Sequence, residues 1–423
     1  MQTLLSLSIR IGLSFVAAFA VSCSGGQEGK IAPGLSEQSS PELIEKGRYL
    51  AAAGDCVSCH TSDDGEPFAG GHEFHTPFGI IYSTNITPDE NAGIGAWTLS
   101  DFEKAMRKGV DPKGRHLYPV FPYTDFTKIT DEDIAALYAY FQSLPSHSYE
   151  PPANKLNFPF GWRTLLGPWK ALHLKTGPFE PDESRSEEWN RGAYLVEGLG
   201  HCGACHTPRN FMGAEKDDRA FAGATYLDYI ENTGEHRPWA AVNLTPAAAG
   251  LAAWSEKDIA DYLKTGHSAM AGTFGPMNKV IAKGTSQLTK DDVQAMAVYL
   301  KSLPPQDVGA NASMSPDELR EGERLYSVHC GTCHLPTGAG DPTTGPPLKG
   351  SAIVQAQDPA SLINVIIYGA QIAQPAPEGA WKSMEAFGDK LDDEEVAILA
   401  TYMRASWGNS GSNVSERDVE KQR

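Results

Sequence analysis

Three short stretches share one pattern: Cys56-Val-Ser-Cys59-His60, Cys202-Gly-Ala-Cys205-His206 and Cys330-Gly-Thr-Cys333-His334. Each is C-x-x-C-H, the pattern by which c-type haem is attached to protein. Cysteines three residues apart lie on one face of a helical turn, so their sulfurs can form thioethers with the two vinyl groups of one porphyrin edge. The adjacent histidine can then bind the iron. The pattern predicts three covalently bound haem c groups, with His60, His206 and His334 as axial iron ligands.

Three other kinds of site compete with haem attachment. A structural zinc site needs four ligands, commonly in two separated pairs, whereas each stretch holds three ligand-type residues with no second pair nearby. A thioredoxin-like redox pair is expected in a βαβ context, which the sequence lacks. A disulfide framework gives no reason for a histidine after every second cysteine. Haem attachment therefore stays the prediction.

Length and charge narrow the class of protein. The chain has 423 residues, which suggests about three domains. Its formal net charge is −18, and a nucleic-acid partner is not expected because a protein that binds one presents a basic surface. Apolar residues make up 41% of the chain and charged residues 21%, which excludes polytopic membrane proteins and long disordered chains.

The seventh cysteine, Cys23, stands apart from the haem stretches. It follows an apolar run, Ile11–Val21, that is preceded by a single positive charge at Arg10. This arrangement predicts a secretory signal peptide, and the run is too short to span a bilayer. The residues around Cys23 resemble a lipoprotein box, in which Cys23 would be acylated; otherwise Cys23 is a free thiol. We expect a protein on the periplasmic side of the bacterial inner membrane, lipid-anchored through Cys23.

Each haem stretch belongs to a repeated unit that opens and closes with a helix. The closing helices have acidic first turns and end near proline or glycine. A glycine recurs in the opening helix and a tyrosine in the closing helix, and we expect the two helices to cross with the glycine beneath the aromatic ring. The pairs are Gly47 with Tyr140, Gly192 with Tyr299, and Gly322 with Tyr402.

Strand-like alternation is scarce, so the predicted class is all-α: three tandem class I cytochrome c domains, each built around one covalently attached haem. A domain of about 100 residues has a modest core, and a porphyrin can supply much of its apolar interior. The expected boundaries are 1–22 for the signal peptide, 23–40 for anchor and tether, 41–150 for the first domain, 151–185 for an aromatic-rich linker, 186–306 and 307–408 for the second and third domains, and 409–423 for a polar tail.

An electron-transfer haem of this type usually has a methionine as its second axial ligand, which raises the reduction potential. In the second unit Met277 lies in a loop before the closing helix, and in the third unit Met384 occupies the matching place. Met296 and Met403 lie within the closing helices and are expected to be packing residues. Met277 and Met384 are therefore the predicted distal ligands.

The first unit has no methionine in the corresponding loop, His116–Tyr123. Met106 falls inside the middle helix and is expected to be a core residue. His72, His75 and His116 are possible substitutes, although a lone histidine is more often a surface or hydrogen-bonded residue. The haem on His60 is therefore either five-coordinate or bound by a second histidine at lower potential.

Residues 41–408 resemble the triple-haem cytochrome c subunit of bacterial membrane-bound dehydrogenases, the family that serves alcohol, gluconate, other sugar and aldehyde dehydrogenases. Members of that family usually have methionine where Phe121 stands, so no first distal ligand is implied here. They usually have proline after the third methionine, where this chain has Glu385. The specific stretches are Gly47-Arg-Tyr-Leu50, Thr76-Pro-Phe-Gly79, Tyr82-Ser-Thr-Asn-Ile-Thr-Pro88, Asn190-Arg-Gly-Ala-Tyr-Leu195, Thr207-Pro-Arg209 and Phe274-Gly-Pro-Met277.

The resemblance implies an electron-transfer subunit rather than an enzyme acting alone. Electrons from an alcohol, sugar, sugar acid or aldehyde, oxidised on a partner catalytic subunit, would pass through three haems to ubiquinone, a terminal oxidase or another cytochrome. The first alternative is a multihaem enzyme that reduces peroxide or another small oxidant at an open first haem. The second is a free-standing periplasmic electron carrier.

The segment between the first two units, Pro151–Ser184, is unlike an ordinary solvated linker. It contains five aromatic side chains and an adjacent pair of leucines, which would suit docking to a partner or to the membrane interface. The simpler expectation is that the segment packs into the groove between domains. These residues are Phe158, Phe160, Trp162, Leu165, Leu166, Trp169 and Phe179.

Overall fold

A computed structural model describes residues 40–230, 235–307, 311–370, 381 and 383–423. The predicted signal peptide, Cys23 and most of the tether lie outside the described residues. Sixteen helices alternate with short strands in the described part of the chain. The helices are α1 Pro41–Ala53, α2 Cys56–Cys59, α3 Leu99–Lys108, α4 Tyr123–Phe126, α5 Asp131–Ser143, α6 Leu166–His173, α7 Glu187–Tyr194, α8 Gly203–His206, α9 Glu256–Thr265, α10 Met277–Lys283, α11 Lys290–Ser302, α12 Pro316–His329, α13 Gly331–His334, α14 Ala360–Tyr368, α15 Asp393–Ala405 and α16 Glu416–Glu420.

The opening and closing helices of each unit pack against each other as predicted: α1 on α5, α7 on α11 and α12 on α15. Glycine is needed at each crossing because any side chain there would meet the tyrosine of the closing helix. A Cβ at Gly47 would lie 2.6 Å from the Cβ of Tyr140, and one at Gly322 would lie 2.6 Å from the Cβ of Tyr402. The crossing in the second unit, Gly192 on Tyr299, has a corresponding separation of 2.9 Å.

The helix starts follow the capping signals in the sequence. The Ser40 hydroxyl accepts a hydrogen bond from the Leu43 amide at 3.2 Å, and Pro41 begins α1. Ser315 and Glu318 form a capping box at the start of α12. These side chains satisfy amides that have no partner within the helix, so each helix has a fixed origin.

Five strands correct the prediction of an all-α fold. They form an antiparallel three-stranded sheet in the order β1–β2–β3 and an antiparallel hairpin of β4 and β5. Backbone pairing with other strands holds these segments extended, and the residue pattern within so short a strand does not reveal that pairing. The strands are β1 Glu73–Thr76, β2 Gly79–Tyr82, β3 Lys155–Leu156, β4 Ala224–Ile230 and β5 Glu235–Ala241.

The buried apolar side chains form two large clusters rather than three. One cluster joins residues of the first two units, including Leu50, Ile134, Leu195 and Met296. The other, around Ile363, belongs to the third unit. The first two units therefore share one continuous core, so we expect them to depend on each other for stability.

Two tyrosines join the first two units reciprocally. The Tyr49 hydroxyl of α1 donates to Asp292 Oδ2 of α11 at 2.5 Å, and it accepts a bond from the Thr289 amide at 3.1 Å. The Tyr194 hydroxyl of α7 donates to Asp133 Oδ2 of α5 at 2.6 Å. The equivalent tyrosine of each unit therefore forms a hydrogen bond at the start of the other unit's closing helix.

The two aspartates also hold ion pairs within their own units. Lys46 lies 2.8 Å from Asp133, and Arg191 lies 2.8 Å from Asp292. Burial raises the pKa of Asp292, but hydrogen bonds from Arg191 and Tyr49 outweigh burial and hold that pKa below its ordinary value. A carboxyl with a depressed folded-state pKa stabilises the protein above its unfolded pKa, and the stabilisation is lost as the pH falls through the folded pKa.

Replacing both hydroxyls, by Tyr49→Phe and Tyr194→Phe, is expected to lower the free energy of unfolding of the first two units by about 2 kcal/mol for each change, because each hydrogen bond reaches a charged acceptor. Urea unfolding at neutral pH measures this. Tyr138→Phe is the matched control, since the Tyr138 hydroxyl donates to the neutral Trp97 carbonyl at 2.7 Å within one unit. A loss no larger than in the control would contradict the cross-unit role.

The segment 409–423, a polar tail by composition, is folded against the third unit. Val414 is 7% exposed and Val419 is fully buried. The Arg404 guanidinium, also fully buried, donates to the Ser412 carbonyl at 2.7 Å and to the Val354 carbonyl at 2.8 Å. Among the described residues no helix is long and apolar enough to cross a membrane.

Candidate haem-attachment sites

Each C-x-x-C-H stretch lies soon after its opening helix, and in the second unit the π-helix Leu195–Leu199 stands between the two. The stretches form the short helical turns α2, α8 and α13, and the two cysteines of each stretch lie on its turn or directly before it. Burial raises the pKa of the Cys56 and Cys202 thiols to about 12, and that of Cys330 to about 12. Burial therefore favours the neutral form of these three thiols, which lie against an apolar interior.

The three predicted iron-binding histidines have the same hydrogen bond. His60 Nδ1 lies 2.7 Å from the Thr84 carbonyl, and His206 Nδ1 lies 2.7 Å from the Val242 carbonyl. His334 Nδ1 is 2.8 Å from the carbonyl of Pro346. A carbonyl can only accept, so each Nδ1 carries the proton and each Nε2 keeps a free lone pair. This is the tautomer that a metal-binding imidazole needs, and its partner fixes the ring orientation.

Sequence reasoning missed the carbonyl groups that orient the histidines, although a signal for them exists. Thr84 and Val242 each come directly before a repeated Asn-x-Thr-Pro stretch. Asn85 Oδ1 accepts from the Thr87 amide at 2.9 Å, and Asn243 Oδ1 accepts from the Thr245 amide at 2.8 Å. The same asparagines bind carbonyls beyond the closing helices, at His147 and Gln306. The repeated motif thus fixes the loop whose carbonyl holds the histidine.

The residues of all three sites fit haem c. Each offers two cysteine sulfurs at one turn and one imidazole with its Nε2 free, and in the third site Gly345 clears the space beside the ring. A Cβ at Gly345 would lie 3.3 Å from His334 Nδ1. Bound haem c supplies one-electron transfer at the iron, and the chain supplies the axial imidazoles and an apolar surrounding.

One cysteine of the first site and one cysteine of the second site lie within electrostatic range of each other. Burial raises the pKa of Cys59, and the nearby Asp55, Cys56 and Cys205 raise it further, so Cys205 of the second site lies within electrostatic reach. Tyr226 on β4 is in reach of the same two thiols: burial first, then Cys205, Asp228 and Cys59, raise its pKa. Tyr226 therefore lies within electrostatic range of one thiol from each site.

The predicted distal ligands lie where the sequence analysis expects loops or loop ends. Met277 is half-buried at the first position of α10, and Met384 is half-buried beside the core of the third unit. Met296 and Met403 are each 3% exposed within their closing helices, as expected for packing residues. The neighbouring Met270, which the sequence analysis did not single out, packs against the shared core.

Phe121 occupies the place in the first unit that Met277 occupies in the second. The Leu117 amide donates to the Gly109 carbonyl at 2.7 Å, and the Thr273 amide donates to the Gly266 carbonyl at the same distance. Each bond closes the turn after a middle helix. Phe121 comes four residues after Leu117, and Met277 comes four residues after Thr273. The Phe121 ring packs on Phe126, with a centroid separation of 5.4 Å.

Two of the three histidines considered as substitutes have polar partners elsewhere, whereas among the described residues His72 Nδ1 is buried without a hydrogen-bond partner. His75 pairs with Glu73 at 2.8 Å, and His116 Nδ1 lies 3.1 Å from Lys170 Nζ. His72 lies in electrostatic reach of His60, the iron-binding residue of the same site. Met106 is buried in the shared core, as expected. None of these four side chains stands at the position of Phe121.

Comparisons with known families agree with the chemistry of the first and third sites. The cytochrome c family matches residues 44–145, and the family described as cytochrome c oxidase, cbb3-type, subunit III, matches residues 317–403. The two matches cover the first and third units. They support a cytochrome c fold with covalently bound haem c in each.

Curated relatives match nearly the whole chain. A nicotinate dehydrogenase subunit from Pseudomonas putida is 43% identical over 380 residues, which are 88% of this chain and 31% of the relative, so the chain spans about a third of that longer protein. The alcohol dehydrogenase (quinone) cytochrome c subunit of Gluconobacter oxydans is 37% identical over 92% of this chain and 84% of its own length.

A third relative is the gluconate 2-dehydrogenase cytochrome c subunit of Pantoea cypripedii, which is 37% identical with 90% of each chain covered. Identity at this level over the greater part of both chains establishes common descent and a common fold. The chain therefore belongs to the family of cytochrome c subunits of bacterial dehydrogenases.

Proposed function

We propose that this chain is the triple-haem electron-transfer subunit of a membrane-bound dehydrogenase, built of three tandem cytochrome c domains. The observation that carries the proposal is the repeated histidine geometry, with Nδ1 bonded to a backbone carbonyl and Nε2 free at His60, His206 and His334. Electrons from an alcohol, sugar, sugar acid, aldehyde or related substrate, oxidised on a separate catalytic subunit, pass through the chain to ubiquinone or another respiratory acceptor.

The chain's residues support transfer between the first two sites. Cys56 of the first site and Cys202 of the second pack against the same buried core, which excludes water from that side of both sites. A dry, rigid surrounding lowers the reorganisation that accompanies each change of charge. The reciprocal bonds of Tyr49 and Tyr194 hold the two units in this arrangement.

The proposal places the protein on the periplasmic side of the inner membrane. Residues 1–22 act as the export signal, and Cys23 carries a lipid anchor. Residues 23–40 join that anchor to the folded body. Met277 and Met384 serve as the distal ligands of the second and third haems.

A tagged full-length chain, expressed in a host that matures c-type cytochromes and co-expressed with the neighbouring dehydrogenase genes, tests the function. We expect intact mass spectrometry to show three haem adducts. We also expect the detergent-solubilised chain to purify with a second polypeptide, and one of ethanol, gluconate, fructose or nicotinate to reduce its haem absorption bands. A chain that purifies alone, and whose bands none of these substrates reduces, would indicate a free-standing carrier instead.

A second candidate function rests on Phe121. An apolar ring at the position of the distal methionine leaves the first haem without that ligand, which would allow a small oxidant such as peroxide to bind and be reduced there. The second and third sites would then supply the electrons. Cyanide binding to the oxidised protein separates the two functions, since an electron-transfer chain with three fully ligated haems does not bind it.

Phe121→Met is expected to convert the first haem to a low-spin form with histidine and methionine ligands. Its reduction potential should rise by on the order of 100 mV, because a thioether ligand favours the reduced iron. Redox titration and electron paramagnetic resonance measure both changes. Phe121→Leu, which is apolar but has no sulfur, is the matched control and should leave the spectrum as in the parent chain. An unchanged spin state in Phe121→Met would show that this position does not face the iron.

A further inference from the structure

The segment between the first two units does not pack into the groove between domains as expected. Trp169 is buried, but Phe158 is 80% exposed and Trp162 is 59% exposed. Phe211, in a loop of the second unit, is 91% exposed. These side chains belong to one set that we call the aromatic surface: Phe158, Phe160, Trp162, Leu165, Leu172 and Phe211.

The two parts of the aromatic surface are contiguous. Phe78 packs on Phe160 with a centroid separation of 4.7 Å. The other side of Phe78 meets the loop that carries Phe211, because a Cβ at Gly213 would lie 3.2 Å from the Phe78 ring. In the same loop the Met212 carbonyl accepts a hydrogen bond from Trp169 Nε1 at 3.0 Å. Segment and loop therefore form one surface.

The backbone beneath the exposed rings is held in place. The Tyr118 hydroxyl donates to the Phe160 carbonyl at 3.1 Å, and Arg163 Nη1 donates to the His116 carbonyl at 2.6 Å. The Arg163 guanidinium also lies over the Tyr118 ring, 4.6 Å from its centroid. The rings are thus presented to solvent by an ordered framework, so little conformational entropy is lost when something covers them.

Charge identifies the kind of partner. The chain carries a formal net charge of −18, yet no Asp or Glu lies between Glu150 and Glu180. That stretch contains Lys155, Arg163, Lys170 and Lys175, and the exposed Arg209 and Lys216 flank Phe211. Lys170 is buried, Lys175 pairs with Asp217 at 2.9 Å and Arg209 lies 3.5 Å from Glu215, so Lys155, Arg163 and Lys216 are the cations of this region that form no described ion pair. Protruding aromatic rings bordered by cations are typical of proteins that lie on anionic membranes.

We propose that the aromatic surface binds the headgroup region of a bilayer that contains anionic lipids. The inference rests on the proposed location at the membrane and adds the face that lies on it. Phe158, Trp162 and Phe211 enter the boundary between headgroups and acyl chains, and the bordering cations contact lipid phosphates. Because the segment lies between the first two units, this contact fixes how both of their sites lie relative to the membrane.

Vesicle binding of the haem-loaded full-length chain tests the proposal. Cys23→Ser removes any lipid anchor, so that only the folded body can bind. We expect this protein to co-sediment with vesicles of one part phosphatidylglycerol to three parts phosphatidylethanolamine, as followed by haem absorbance. Adding Phe158→Ser and Trp162→Ser should weaken the partition coefficient about 30-fold, because both rings leave the apolar boundary.

Leu319→Ser with Val328→Ser is the matched control, since these side chains are 46% and 62% exposed on α12 beside acidic residues. The control should bind vesicles like the Cys23→Ser parent. The proposal is supported if the Cys23→Ser parent binds the anionic vesicles, binds neutral phosphatidylcholine vesicles more weakly, and loses its binding when Phe158→Ser and Trp162→Ser are added. No binding by the parent, or equal binding by both variants, overturns it. So does a loss confined to co-purification of the catalytic subunit, which would make the surface a protein interface. Haem content and substrate-dependent reduction, measured on the same samples, report on the proposed function separately.

Discussion

Replacing Cys202 and Cys205 by alanine is expected to leave two haem adducts per chain and to destabilise the first unit together with the second. The second haem would supply apolar interior to the unit that contains α7 and α11. Those helices share a core with α1 and α5, so loss of packing in one unit reaches the other. Intact mass spectrometry counts the adducts, and calorimetry of the oxidised protein follows the unfolding of each core.

The matched control is Cys330→Ala with Cys333→Ala. It also removes one haem, but its unit has a core of its own around α12, α14 and α15. We expect the control to lower only the transition of the third unit, whereas the first pair of substitutions lowers the larger transition of the two joined units. If both variants lower that larger transition equally, the first two units do not share a core that is separate from the third unit.

Arg404→Met is expected to lower the free energy of unfolding of the third unit by about 3 kcal/mol and to release residues 409–423. Burial lowers the pKa of Arg404 to about 10. Among the described hydrogen bonds, only those of its guanidinium join α15 to the carbonyls of Val354 and Ser412. A methionine fills the space but leaves both buried carbonyls without donors. Urea unfolding and limited proteolysis near residue 409 measure the two effects.

Arg324→Met provides the control for this change. Arg324 lies in the same unit, is exposed, and pairs only with Glu321 on its own helix at 2.5 Å. An exposed ion pair of this kind contributes little, so we expect a loss below about 0.5 kcal/mol. If Arg404→Met costs no more than Arg324→Met, the buried guanidinium does not hold the C-terminal segment.

Local chemistry explains which predictions succeeded. The glycine and tyrosine of each helix crossing are confirmed at Gly47, Gly192 and Gly322, because a repeated small residue opposite a repeated aromatic has one simple packing solution. Helix starts at Ser40 and Ser315 are confirmed, since capping depends on residues three positions apart. Family membership is confirmed by the relatives, because the attachment pattern and its surrounding stretches are contiguous in sequence.

Features built from distant segments were not predictable in this way. Strand β3 was missed because its partner β2 lies more than seventy residues earlier in the chain. The exposed position of Phe158 and Trp162 differs from the expected packing, since the groove side of the segment is taken by Trp169. The identity of the orienting carbonyls at Thr84 and Val242 also depends on a loop that returns to the histidine from elsewhere in the chain.

The sequence by itself predicted the haem-attachment residues and their histidines, and it determined the helix starts and the crossing of each helix pair, because these depend on spacings of a few residues. Only the tertiary structure decided that Tyr49 and Tyr194 exchange aspartate partners between units and that two units share one core. The physical reason is that burial and hydrogen bonding between remote segments depend on how the whole chain closes around its interior, which no short spacing records.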